Sequence, residues 1–202
     1  MVFVEYTNNI FKIDSLNLSE IESLTKQKLN INDFYYTTSG KRSESTLNLL
    51  GRNINEKATL YPYSIIKRFA DNYKLQVNSL YVLIVGVAFK GHPETIDTRS
   101  SASIDLFNFL KSKGIGTYTY DQVIPYDSLL AQDLNPVSDI SSSVLSADCV
   151  LIMNNHPNNI SILQYLKPNK KRLIFDGWSQ FNFHDISNIE NHVYSTMGFM
   201  TS

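Results

Sequence analysis

Apolar residues along this chain follow two rhythms, and the pattern switches between them repeatedly from about residue 47 onward. Ile65, Ile66, Phe69, Ala70 and Tyr73 recur at helical spacing, which predicts a helix with one buried face. Pro62 suits the first turn of that helix, where its missing N–H costs nothing, and the helix is expected to end near Lys74. Leu80 to Gly86 is then a continuous apolar run rich in β-branched residues, as expected of a strand buried on both faces of a parallel sheet. A loop from Phe89 to Arg99 leads to a helix over Ser101 to Lys113, with Ile104, Phe107 and Leu110 inward and Gly114 as its stop. Further strands are expected at Thr117–Asp121, Asp148–Met153 and Arg172–Asp176, with His192–Ser195 as a fifth. A loop rich in Asp, Ser and Pro leads to a short helix around Ser142–Leu145, and another helix covers Ile160–Leu166, stopped by Pro168. Strands alternating with helices at this spacing imply right-handed βαβ crossovers. The expected fold class is α/β: a Rossmann-like three-layer αβα domain with a parallel sheet, preceded by a helical segment.

Three parts follow from this pattern. Residues 80–202 form the Rossmann-like domain, residues 47–79 a helical lead-in, and residues 1–46 an N-terminal segment of unknown role. In that segment Val2–Tyr6 suggests a short strand. Ser19 and Glu22 fit a capping box opening a helix to about Lys28. Thr37–Ser45 reads as a polar loop; its Gly40-Lys41-Arg42-Ser43 lacks the upstream glycine of a Walker motif.

Composition narrows the function classes. With 43% hydrophobic and 18% charged residues the chain reads as an ordinary globular protein. A net charge of −1 favours neither nucleic acid nor an acidic membrane as a bulk partner. The single cysteine, Cys149, excludes an intrachain disulfide. No signal peptide and no bilayer-length apolar run is apparent, so a cytoplasmic location is the expectation. His92, His156, His184 and His192 lack metal-ligand spacing.

Ligands of open α/β sheets bind beyond the carboxyl ends of the strands, so the loop from Gly86 to Arg99 is the first candidate site. Only Gly86 and Gly91 stand there, which is not the three-glycine dinucleotide fingerprint. The loop instead offers two cations, Lys90 and Arg99, and a helix N-terminus at Ser100–Ser103, a combination suited to a diphosphate. A solvated surface loop fits the same residues equally well.

Gly86-Val-Ala-Phe-Lys90, followed by Asp97-Thr-Arg99 and Ser100-Ser101, resembles the signature of the UDP-glucose/GDP-mannose dehydrogenase family. The likeness continues through Tyr120-Asp121, Ala147-Asp148 with Val150-Leu151-Ile152, Phe175-Asp176-Gly177 and Tyr194 to Gly198. Upstream, Arg52 to Asn55 and Pro62 resemble the end of that family's central helix. It covers roughly residues 47–199.

The resemblance implies a nucleotide-sugar-binding C-terminal domain, with a UDP-sugar favoured over a GDP-sugar. It also implies the setting of an NAD-dependent oxidoreductase acting on CH–OH groups in polysaccharide biosynthesis. Phe89 and Lys90 take the positions that lie against the nucleotide sugar. Arg99 takes the position that faces NAD, and Asp97 one that orients it; a helix-start salt bridge between the two is the alternative. Gly86, His92 and Asp176 are further candidates. Where the family has a substrate-binding arginine, this chain has Trp178, which either stacks on a base or sugar or packs in a core or interface. Loss of a charge-assisted hydrogen bond alone weakens binding by about 10- to 150-fold.

Other departures bear on catalysis. The Lys90-to-Arg99 interval is two residues longer than the common family pattern. The Gly-Gly-x-Cys-x-Pro motif with the catalytic cysteine and the Gly-x-Gly-x-x-Gly of the NAD-binding domain do not occur in this sequence. Cys149 lies in an apolar strand, where a thiol packs rather than attacks. NAD is therefore implied by the family but not expected to bind this chain alone, and this polypeptide alone is not expected to turn over substrate. It reads as a nucleotide-sugar-binding part that acts beside an NAD-binding half or a homodimer partner. The alternative is a degenerate, non-catalytic nucleotide-sugar-binding or scaffold protein.

Overall fold

The computed structural model describes residues 58–187 and 189–201. The expectations for Val2–Tyr6, for the helix opened by Ser19, for Thr37–Ser45 and for Arg52–Asn55 fall outside the described residues.

Helix α1 spans Tyr61–Tyr73, with Pro62 in its first turn and Lys74 closing it in the left-handed conformation. Strand β1 is Tyr81–Val85, α2 is Ala102–Ser112 and β2 is Gly116–Tyr120. Two short helices follow, α3 at Tyr126–Leu130 and α4 at Ile140–Ser146. Next come β3 at Cys149–Ile152, β4 at Arg172–Asp176, α5 at Phe183–Ser187, β5 at His192–Thr196 and β6 at Phe199–Met200. The sheet order is β2-β1-β3-β4-β5-β6. All pairs are parallel except the terminal β5–β6 hairpin.

Strand alternation divides the core. Val82, Ile84, Cys149, Leu151, Leu173, Phe175 and Val193 pack against α1, α2 and α3 on one face. Leu83, Val85, Val150, Ile152, Ile174 and Tyr194 pack against Val144 of α4, Ile162, Phe181 and Ile186 on the other. Both faces of the sheet are covered, which is why β1 and β3 read as unbroken apolar runs and β4 is apolar between its charged ends, Arg172 and Asp176.

The structure departs from the expected elements in four places. Ile160–Leu166, expected as a helix, is the end of a 3-10 helix over Pro157–Tyr165. Its buried residues, Asn159 and Ile162, are three apart, the 3-10 period, and Ile160 is exposed. In α2 it is Leu106 that is buried with Phe107 and Leu110, while Ile104 is only partly covered. The region before α4 contains α3, a five-residue helix opened by Pro125. The β6 strand was not expected: Gly198 makes the tight turn, and two residues give no periodicity to read.

The edge of the sheet where the strands begin is closed by Arg172, which is fully buried. Its Nε and Nη2 donate to the carbonyls of Ala147 and Leu145, both at 2.9 Å. Its Nη1 lies 2.8 Å from Nε2 of His192. Arginine has no acceptor, so His192 Nε2 must accept, and its Nδ1 donates to the Glu190 carbonyl at 2.7 Å. Burial, with Arg172 and Lys171 nearby, holds the His192 pKa below its ordinary value.

Candidate functional site

From β1 the chain runs outward to β2 and then returns to the other side of β1 to form β3. Connections diverge there, and the crevice beyond the carboxyl ends of β1 and β3 is where open α/β sheets accept ligands. Two segments line it: Gly86–Gly91 after β1 and Met153–His156 after β3.

The packing of these two segments explains both glycines. Gly86 has φ +89°, and a β-carbon there would stand 2.4 Å from the Asn154 side chain. At Gly91 a β-carbon would fall 2.0 Å from the backbone nitrogen of His156. Asn155 Oδ1 accepts the N–H groups of Gly91 and His92 at 2.9 and 3.1 Å. His156, buried itself, accepts the Asn158 N–H on Nδ1 and so donates from Nε2 to Glu94 at 3.0 Å. The longer Gly91–Thr95 stretch is thus pinned on the β3 loop.

A second set of bonds fixes the start of the β1 loop. Asp121, just past β2, accepts the N–H groups of Val87 and Ala88 on one oxygen at 2.7 and 2.9 Å. Its other oxygen accepts those of Val123 and Ile124 at 2.8 and 3.0 Å. The hydroxyls of Ser101 and Ser103 donate to the carbonyls of Val87 and Gly86, each at 2.6 Å. Ser101 thereby ties the α2 N-terminus to the loop instead of capping its own helix.

From this rigid base Phe89 and Lys90 project outward. Phe89 is 57% exposed and its N–H donates to the Asp97 carbonyl at 2.8 Å. Lys90 is exposed, and among the described residues its side chain makes no hydrogen bond or ion pair. His92 is exposed beside them.

Residues 83–183 match the UDP binding domain of the UDP-glucose/GDP-mannose dehydrogenase family. The chain belongs to the UDP-glucose/GDP-mannose dehydrogenase family. Its fold is similar to that of UDP-D-ManNAc dehydrogenase from Pyrococcus horikoshii, at 19% identity and a TM-score of 0.61, over 79% of this chain and 35% of that one. It is also similar to a UDP-glucose dehydrogenase from Pyrobaculum islandicum, at 16% identity and a TM-score of 0.56, over 76% of this chain and 32% of the other. An NDP-N-acetyl-D-galactosaminuronic acid dehydrogenase from Methanosarcina mazei is 16% identical with a TM-score of 0.57, over 90% and 36% of the two chains. This chain therefore spans about a third of the length of each of these structures. Comparison with curated proteins gave no match.

Within the family signature, Asp97 and Arg99 form a chelate. Arg99 Nε lies 3.0 Å from Asp97 Oδ1, and Nη2 lies 2.7 Å from Oδ2. These bonds hold the Asp97 carboxyl down at about 2. Arg99 remains 88% exposed, so a ligand meets a guanidinium whose Nε and Nη2 are already engaged.

Past β4 the Asp-Gly-Trp segment turns back over β3. Asp176 is fully buried and accepts from Trp178 N–H, Phe181 N–H and the Tyr194 hydroxyl at 3.2, 2.8 and 3.0 Å. Burial, with the Asp176 charge beside it, raises the Tyr194 pKa, so the phenol stays protonated as the donor. Trp178 is half exposed, and its indole N–H donates to the Met153 carbonyl at 3.0 Å. Gly86 and Asp176 are thus framework positions, while Phe89, Lys90, His92 and Trp178 present side chains to solvent.

Sequence reasoning did not assign roles to Asp121, Asn154, Asn155 or Glu94. A usable signal was present for three of them: Asp121 directly follows β2, and Asn154-Asn155 come one residue after the apolar β3, where the chain turns at the ligand edge; Glu94, nine residues past β1, carried none. Among the described residues, no three His, Cys, Asp or Glu side chains gather as a metal site, and no helix is long and apolar enough to cross a membrane.

Proposed function

We propose that this chain is the nucleotide-sugar-holding C-terminal part of a UDP-sugar 6-dehydrogenase. The observation that carries the reading is the free Lys90 ammonium beside exposed Phe89, on a loop immobilised at the β1–β3 crevice. Lys90 receives the diphosphate, and Phe89 covers an apolar edge of the ligand. A charge-assisted contact of this kind contributes about 1.5–3 kcal/mol.

NAD would supply the hydride acceptor for oxidation of a CH–OH group. The described residues do not fit its pyrophosphate. The Val87 and Ala88 amides that follow β1 are bonded to Asp121, and Arg99 is engaged by Asp97. Cys149 is fully buried, and burial raises its thiol pKa far above the ordinary value, which makes it a packing residue and not a nucleophile. In this reading an NAD-binding half supplies both cofactor and thiol, and this chain binds and orients the cytoplasmic sugar nucleotide.

Calorimetric titration with UDP-glucose, UDP-N-acetyl sugars and GDP-mannose tests the proposal. Saturable binding of a UDP-sugar, weakened at least about tenfold in Lys90→Ala, supports it. Absence of binding at millimolar ligand rejects it in favour of a scaffold role.

A further inference from the structure

We infer that Glu94 is a positioning residue for Lys90: its bond to His156 holds the strap of residues 91–96 on the β3 loop and so keeps Lys90 in place at the crevice. The inference rests on the nucleotide-sugar reading above and adds to it a residue through which the site is set.

Lys90 opens a loop whose base is closed by the Phe89 N–H, donating to the Asp97 carbonyl at 2.8 Å. One limb, Gly91 and His92, gives two N–H groups to Asn155 Oδ1 at 2.9 and 3.1 Å. The other limb, residues 93–96, is exposed apart from half-buried Thr95. Among the described residues, one hydrogen bond ties that limb to another element: Glu94 Oε1 accepts from His156 Nε2 at 3.0 Å. The anchor is fixed. His156 is buried, its backbone N–H donates to Asn154 Oδ1 at 3.2 Å, and its Nδ1 accepts the Asn158 N–H at 3.1 Å. The ring therefore carries its proton on Nε2. A donor on so buried a ring is costly to leave unmade, which keeps the carboxylate on it although the Glu94 side chain is 63% exposed.

A chain of bonds leads from Glu94 to Lys90. Thr95, the next residue, accepts the Asp97 N–H on Oγ1 at 3.1 Å. The Asp97 carbonyl in turn holds the N–H of Phe89, the residue before Lys90. On the other side of Lys90, Gly91 lies so close to the β3 loop that a β-carbon there would fall 2.0 Å from the His156 nitrogen. Lys90 is set between two contacts, and both require the strap to lie flat on that loop. Releasing Glu94 frees the outer limb and loosens the bond at the base. The Lys90 ammonium then occupies more positions, and ordering them again on binding costs affinity.

Calorimetry of the full chain with UDP-glucose, in a double-mutant cycle of Glu94 and Lys90, tests this directly. Glu94→Ala should weaken binding about 3- to 10-fold. Glu94→Gln, whose amide oxygen still accepts from His156, should stay within about twofold of the parent. In the Lys90→Ala chain, Glu94→Ala should add less than about twofold, because the residue it positions is gone. Equal weakening by Glu94→Ala and Glu94→Gln would assign the effect to the charge and overturn the inference. A full Glu94→Ala loss in the Lys90→Ala chain, the mark of a general loosening of the fold, would overturn it as well. Unchanged affinity of Glu94→Ala would overturn it while leaving the nucleotide-sugar site standing. Lack of UDP-glucose binding by the parent chain would overturn both.

Discussion

The carboxylate of Asp121 accepts the backbone N–H of Val87 at 2.7 Å and so ties the end of β2 to the loop that follows β1. Three more amides share that carboxylate, and the residue is only 8% exposed. Replacement by Ala leaves four buried or partly buried donors unpaired. Asp121→Ala should therefore lose about 3 kcal/mol or more in urea denaturation. Asp121→Asn, which keeps one acceptor oxygen, should lose less.

The glycines at the crevice make a contrasting pair with Gly114. Gly114 also has positive φ, but nothing lies within 4 Å of an added β-carbon. Gly114→Ala should lose about 1 kcal/mol, the backbone cost alone. At Gly86 the same backbone cost combines with a collision with Asn154 at 2.4 Å, and the loss should exceed ~2 kcal/mol. Urea midpoints of the two variants check the difference.

His192 makes stability pH-dependent. Its pKa in the folded chain lies below the ordinary 6.5, so the unfolded chain takes up the proton first as pH falls. The contribution of neutral His192 is complete above pH 6.5 and is lost progressively below it, down to the folded-state value. Protonation would also set an N–H against the Arg172 guanidinium. The urea midpoint should fall between pH 7 and 5 more steeply in the parent than in His192→Gln, which keeps an acceptor and does not titrate.

Cys149 offers a probe of the core. Its thiol is fully buried in β3 and burial raises its pKa. A thiol reagent should label the native chain on the order of 10³-fold more slowly than the urea-unfolded chain. Fast labelling of the native chain would mean that β3 opens locally.

Much of the fold was legible because its strands are buried on both faces. The run from Leu80 to Gly86 could be placed by its length and β-branched content, and β4 was read at its observed bounds, Arg172–Asp176. The 3-10 helix after β3 was harder to read: its form depends on His156 and Asn159 bonding within the loop, which no periodicity encodes. At the site, Phe89, Lys90 and Trp178 stood out as residues of distinctive chemistry. Asp121 and Ser101 stood out only as parts of the family likeness, and Asn155 and Ser103 not by themselves; the bonds these four make could not be read, because each acts through a backbone partner far away in sequence. The pairing of Glu94 with His156 likewise joins residues 62 apart.

Amide chemical-shift mapping with UDP-glucose decides whether a sugar nucleotide binds at the β1–β3 crevice. Saturable shifts concentrated in Gly86–His92, Met153–His156 and Gly177–Ser179, weakened in Lys90→Ala, are the expected result. Shifts confined to the opposite edge around Arg172 and His192, or none at millimolar ligand, would contradict it.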